Sequence, residues 1–389
     1  VGRLGQGRLC QGERILDTKL LRDSFAVVAP YGLEVTEYFY AHLFATGGDP
    51  VVSMFPPLMG PQRDRLLKAL VRIVTDVDDL DKLGAYLAGL GRDHRKFSVQ
   101  PEHFDLVGAS LLATLQHFAG DAWTPEVAGT WAGAYALVAQ VMRQALTADD
   151  GTPPWWDATV TAKEMPSYDI AIITTRLAQP MEWAPGQSVA AQFEGRPRIW
   201  RYLTPANPPR VTRTAEFHLR VIPGGLLSVP LALHAGPGSR LRLGPPVGSL
   251  KLDEDSDRDI LMVAGSTGLA PMMAMLERLA QRDSPPDVRL YFGAREPGGL
   301  YAADRLAKLA AEHDWLTVTL ACSAPEEQSP EFEGERGNIV DVVTRGEAWQ
   351  DRDAYICGSS AMTEAAAGRL MALGMPGPSI HIEDFGWEG

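Results

Sequence analysis

Apolar residues in the first third of the chain recur at helical spacing: Leu66, Leu70 and Ile73, then Leu83, Leu87 and Leu90, then Leu111, Leu115 and Phe118. Pro101 sits where a helix can start and Pro125 opens another. The pattern breaks at Gly151-Thr152-Pro153-Pro154, which reads as a linker. From Trp155 to about Leu252 short β-type runs, such as 170–175 and 217–222, alternate with Gly/Pro turns. From Asp259 onward buried strand-like runs at 260–264, 288–292, 316–320 and 354–357 alternate with helical stretches, as in a parallel α/β sheet. The expected fold is therefore multidomain: an all-α domain over 1–150, an antiparallel β-barrel over 151–255, and an α/β parallel-sheet domain over 256–389.

At 389 residues two or three domains are expected. Hydrophobic residues at 45% and charged residues at 22% fit a globular chain, and no apolar run is long enough to cross a bilayer. The opening residues 1–14 are basic, read as a frayed extension, and lack the pattern of a signal peptide. Cys10, Cys322 and Cys357 are scattered without metal-like spacing, so a reduced, cytoplasmic setting is expected. The net charge of −13 argues against a nucleic-acid partner, so any bound phosphate needs a local device.

His94 follows Leu83, Leu87 and Leu90 on one helical face, ending an apolar stripe just before Phe97 and Pro101. A core histidine would look the same; a ligand is the sharper reading. The surrounding segments are YFYAHLF (38–44), VVSMF (51–55), Gln62 with Leu66, DHRKF (93–97), PEHFDLVGASLLATL (101–115) and WAGAYALVAQVM (131–142). Together they resemble a globin of the flavohaemoglobin type over most of 21–146. The resemblance implies that His94 ligates the iron of haem b. It also implies that Tyr40 and Gln62 hydrogen-bond dioxygen on the distal side, Phe55 wedges the haem and Leu66 closes the pocket. A lipid is another candidate occupant there. Three positions depart from the family. Phe104 and Leu146 stand where a tyrosine and a glutamate usually brace the proximal histidine, which implies a less electron-rich iron. Asp93 stands where a lysine usually meets a haem propionate, and a carboxylate there is expected to repel it.

The second half resembles the ferredoxin-reductase-like module of the same family. Arg201-Tyr202-Leu203-Thr204 is the match for the strand that binds FAD: Arg201 for the diphosphate, Thr204 for the flavin ring. Leu203 replaces the tyrosine that packs on the flavin, and Ser188 stands where a second aromatic is common. Tyr202 is a candidate substitute, although strand alternation points it away from Arg201 and Leu203. Gly224-Gly225-Leu226-Leu227-Ser228 fits the second FAD element, with Gly225 for close backbone approach and Ser228 for its hydroxyl. The strongest signal is the strand 260–264 running into Gly265-Ser266-Thr267-Gly268 and a helix near Pro271. There, glycines are expected to allow a tight turn and pyrophosphate approach. Cys357-Gly358 resembles the family segment beside the nicotinamide, and Phe385 is the candidate aromatic lid of the flavin. Arg295 is a candidate for a 2′-phosphate or a solvated strand end, so NADH and NADPH both remain open.

The resemblance implies a path in which NAD(P)H reduces FAD and single electrons pass to haem. It further implies that nitric oxide and O2 become nitrate. Two alternatives are a divergent enzyme with another donor, such as D-lactate, or another acceptor, and an oxygen- or lipid-binding globin without enzymatic activity.

Overall fold

The computed structural model describes residues 16–148, 151–345 and 348–383. The basic opening with Cys10 and the candidate lid Phe385 lie outside the described residues. The chain divides into two compact units, the first reaching Thr152 and the second beginning at Pro153. None of the described helices is long and apolar enough to cross a membrane.

The first unit is helical: α1 (Thr18–Val28), α2 (Leu33–Val52), α3 (Gly60–Asp76), α4 (Leu80–His94), α5 (His103–Ala119) and α6 (Pro125–Thr147). Local chemistry sets several starts. Asp79 caps α4 by accepting the Lys82 N–H at 3.0 Å, and Thr124 caps α6 by accepting from Val127. Pro125 occupies the first turn of α6, where its missing N–H costs nothing. The apolar stripe of α4 faces inward: Leu83 and Leu87 are buried with Phe104, Met142 and Leu146. A second cluster gathers Leu21, Phe39, Leu43, Leu115 and Trp131.

The second unit opens with an antiparallel sheet of β1 (Trp156–Ser167), β2 (Ile170–Leu177), β3 (Ser188–Phe193), β4 (Trp200–Leu203), β5 (Thr214–Arg220) and β6 (Arg240–Val247). Its order is β4-β3-β6-β1-β2-β5, and a bridge between Pro205 and Phe217 links the two edges into a barrel. A short helix, α7 (Ser228–His234), follows β5.

The rest forms a parallel sheet from β7 (Asp259–Gly265), β8 (Val288–Ala294), β9 (Leu316–Cys322), β10 (Glu335–Arg336), β11 (Arg352–Cys357) and β12 (Ile380–Ile382). The order β10-β9-β8-β7-β11-β12 places β7 between β8 and β11. Helices α8 (Leu269–Leu279), α9 (Ala303–Glu312), α10 (Ile339–Val343) and α11 (Ser360–Ala372) complete it. The central strands are buried almost throughout, which is why they read as continuous apolar runs. A buried polar link joins barrel to sheet. His218 Nδ1 lies 2.6 Å from the Tyr301 hydroxyl and its Nε2 lies 3.0 Å from Glu216, which Arg305 also reaches at 2.6 Å.

Candidate functional site

In the helical unit an apolar cavity is walled by α2, α3, α4, α5 and α6, and His94, Phe55 and Leu66 all line it. His94 is the last residue of α4. Its Nδ1 lies 2.7 Å from the Leu90 carbonyl, one turn back on the same helix. A carbonyl only accepts, so Nδ1 carries the ring hydrogen and Nε2 keeps its lone pair. Burial holds the pKa of the imidazole below the usual histidine value, which favours that neutral form. A neutral, oriented imidazole in an apolar slot is the donor that haem iron requires, so these residues fit the group.

Tyr40 is buried, packed on Phe44 and Phe55, but neither it nor Gln62 lines the cavity. Its hydroxyl donates to the backbone carbonyl of Gln62 at 3.4 Å. Burial pushes the phenol up to about 12, so it stays a hydrogen-bond donor at neutral pH. Phe104 and Leu146 pack in one apolar cluster with Leu83 and Leu87. The expectation for Asp93 needs correcting. Its carboxylate is paired with Lys96 at 2.5 Å, with the lysine side chain 2% exposed, so the charge is neutralised locally.

In the second unit one cluster gathers residues far apart in the chain. Ser188 Oγ lies 2.5 Å and Thr204 Oγ1 3.0 Å from Glu383 Oε1, and the two hydroxyls lie 2.6 Å from each other. The Cys357 thiol donates to Glu383 Oε2 at 3.2 Å. Both hydroxyls donate to the carboxyl, and burial raises the Glu383 pKa above the usual carboxylate value. Burial, with the Glu383 charge second, pushes the Cys357 thiol well up, so it is no nucleophile. Glu383 lies two residues before the candidate lid Phe385 and was not singled out by sequence; its hydroxyl partners lie 179 and 195 residues away.

Arg201 is half-buried on β4 and donates to the Trp200 carbonyl at 2.7 Å; Tyr202 is half-buried beside it. Leu203 packs against the barrel core, so the position of the expected flavin-stacking ring is an apolar core side chain. Gly225 donates its N–H to Ile222, and an added Cβ would collide with Ser228 Oγ. Ser228 opens α7, and its hydroxyl accepts from the Ile222 N–H at 3.4 Å.

The turn after β7 differs from expectation in one respect. The left-handed residue is Ser266, at φ 52°, whereas Gly265 and Gly268 have φ of −114° and −60°. Glycine is required here by close approach instead: a Cβ on Gly268 would strike the Cys357 carbonyl, and one on Gly265 would strike Met362. The turn thus packs directly against Cys357-Gly358. Thr267 is half-buried in it, and α8 begins at Leu269, with Pro271 buried in its first turn. Outside the carboxyl ends of β7 and β8 lies a cleft of about 680 Å³, lined by Gly265, Ser266, Gly293, Arg295, Ser323 and Met362 among others. A crevice at strand ends, entered by a helix N-terminus, is where a dinucleotide binds in open α/β sheets. The hydroxyl–carboxyl cluster ends at Cys357, and the cleft lining resumes two residues later at Ser359.

Comparison with known proteins agrees with this arrangement. A globin family profile matches residues 57–142, an oxidoreductase FAD-binding domain 157–252, and an oxidoreductase NAD-binding domain 262–368. The chain is 34% identical over 232 residues to the ferredoxin–NAD(P)+ reductase component of the naphthalene 1,2-dioxygenase system of Pseudomonas putida. That alignment covers 58% of the chain and 68% of the relative. A flavohemoprotein of Bordetella pertussis is 25% identical, covering 95% of the chain and 98% of the relative. A flavohemoglobin from Malassezia yamatoensis, solved with bound FAD and haem, shares the fold with a TM-score of 0.80 at 16% identity. It covers 95% of this chain and 98% of its own. This chain belongs to the flavohaemoglobin family, as an NAD(P)H-dependent oxidoreductase in which a globin for haem is joined to FAD- and NAD-binding domains.

Proposed function

We propose that the protein is a nitric oxide dioxygenase, converting nitric oxide and O2 to nitrate at the expense of NAD(P)H. The observation that carries the reading is the His94 imidazole, neutral and oriented by Leu90, lining an apolar cavity on the same chain as the Ser188–Thr204–Glu383–Cys357 cluster. When bound, FAD turns a two-electron hydride into single electrons, and haem supplies the iron at which dioxygen and nitric oxide react.

The chain's own groups have definable parts. The Nε2 lone pair of His94 would hold the iron, while Nδ1–H ties the ring to the Leu90 carbonyl. Apolar walls from Phe55, Leu66 and Phe104 exclude water and admit small diatomic gases. Tyr40 keeps its proton at neutral pH, so its hydroxyl stays a donor, held by the Gln62 carbonyl outside the cavity lining. On the flavin side Thr204 and Ser188 offer hydroxyls, and the Glu383 carboxyl is the group able to take up or release a proton beside them. Arg201 and the Gly225–Ser228 turn are assigned to the FAD diphosphate, and the Gly265–Gly268 turn with Pro271 to the pyrophosphate of NAD(P)H.

The test is nitric oxide consumption by the purified, haem- and FAD-loaded protein with NADH under oxygen. A rate well above that of free haem is expected, and a rate equal to it removes the dioxygenase assignment. The apolar proximal wall of Phe104 and Leu146 favours a second reading, a member with another donor or acceptor. Anaerobic mixing with NADH and then with D-lactate separates the two, because the flavin band bleaches with the true donor.

A further inference from the structure

Haem b is apolar over most of its surface but carries two carboxylates on one edge, and an anion at the mouth of an apolar slot needs a hydrogen-bond donor. Four side chains lining the cavity carry a ring nitrogen or a hydroxyl: His94, His103, Trp131 and Tyr135. Three are committed. Trp131 Nε1 donates to Ser24 Oγ at 3.0 Å, the Tyr135 hydroxyl donates to the Phe104 carbonyl, and His94 Nδ1 donates to Leu90. His103 is the opposite tautomer from His94. The backbone N–H of Gln100 donates to its Nδ1 at 3.1 Å, so the ring hydrogen sits on Nε2. That Nε2–H has no partner among the described residues, and the residue is half-buried, as a group at a cavity rim should be. The nearby cation does not compete, because Lys96 is spent on Asp93 inside the protein.

We propose that His103 is a positioning residue that donates Nε2–H to a haem carboxylate, fixing the orientation of the porphyrin whose iron His94 holds. The two imidazoles then divide the work by tautomer: one offers a lone pair, the other a hydrogen. His103 is the first residue of α5, and the positive end of that helix adds to the attraction for an anion. The proposal rests on haem occupying the cavity and is independent of the nitric oxide reading.

The experiment measures haem loss to excess apomyoglobin from the full chain loaded with haem b or with haem dimethyl ester, in which both carboxylates are blocked. With haem b, His103→Ala is expected to lose haem about tenfold faster than the parent chain, the size of one charge-assisted hydrogen bond. His103→Gln, which keeps an N–H donor, should recover most of that difference. With the dimethyl ester, parent and His103→Ala should release porphyrin at equal rates. An equal penalty with both porphyrins would assign His103 to holding the Gln100 turn and overturn the proposal. So would equal rates with haem b, or a parent chain that takes up no haem.

Discussion

The His94 cavity and the Ser188–Glu383 cluster acquire their chemistry in contrasting ways. Around His94 almost everything is apolar, and the polar groups next to it on the chain are fixed by near neighbours: Leu90 for His94, Gln100 for His103, Asp93 for Lys96. In the second unit a carboxyl, two hydroxyls and a thiol meet from β3, the end of β4, the end of β11 and the residue after β12. A site built on one helix turn survives sequence divergence as a local pattern. A site built on sheet topology survives only if the whole strand order does.

That contrast can be attacked from both sides. The largest effect is expected for His94→Ala: nitric oxide consumption should fall by about a hundredfold or more, as for loss of a group central to the chemistry. Flavin bleaching by NADH should persist in the same variant. Stopped-flow absorption checks both, and loss of flavin bleaching would mean that the two sites are not separable.

Next is Lys96→Met. It leaves the Asp93 carboxylate, 13% exposed, without its partner, at a cost of about 3 kcal/mol to the helical unit. Thermal melting followed at the haem band reads this, and an unchanged midpoint would show the pair to be dispensable.

Glu383→Gln is expected to slow flavin reduction by NADH about tenfold to a hundredfold, as for loss of one acid–base group, with the haem spectrum untouched. It also carries a pH signature. The Glu383 pKa is raised in the folded chain, so the folded state binds the proton more tightly than the unfolded state does. Its contribution to stability is full below the unfolded value of 4.5 and is lost as pH rises through the raised folded value. The glutamine variant should therefore show a shallower decline in flavin-domain melting temperature over that window. An unaltered slope would mean that the carboxyl is ionised in both states.

Gly268→Ala is expected to be the mildest of the four, costing about 1–3 kcal/mol through overpacking against the Cys357 carbonyl. Weakened NADH binding with normal haem loading is the expected pattern, read by titration of the flavin band.

The sequence carried much of the fold, because helices with a stripe such as Leu83–Leu87–Leu90 and strands buried on both faces each leave a distinct period. His94 was legible for the same reason. Lys96 and Glu383 were not, since a buried ion pair and a buried carboxyl look like any solvated charge until their neighbours are known. Asp93 was read with the wrong consequence because its charge was weighed without Lys96. The turn after β7 was legible but its packing was not: Gly268 abuts Cys357 and Gly265 abuts Met362, both far along the chain, and the unusual backbone falls on Ser266. Tyr40 and Gln62 do meet, and one of their contacts is to a main-chain carbonyl that side-chain matching does not consider.

The most direct measurement is anaerobic rapid mixing of the haem- and FAD-loaded protein with NADH, followed simultaneously at the flavin and Soret bands. The account requires the flavin band to bleach first and the Soret band to shift to its ferrous position afterwards, on every molecule that holds both cofactors. A flavin that bleaches while the Soret band stays ferric would contradict it.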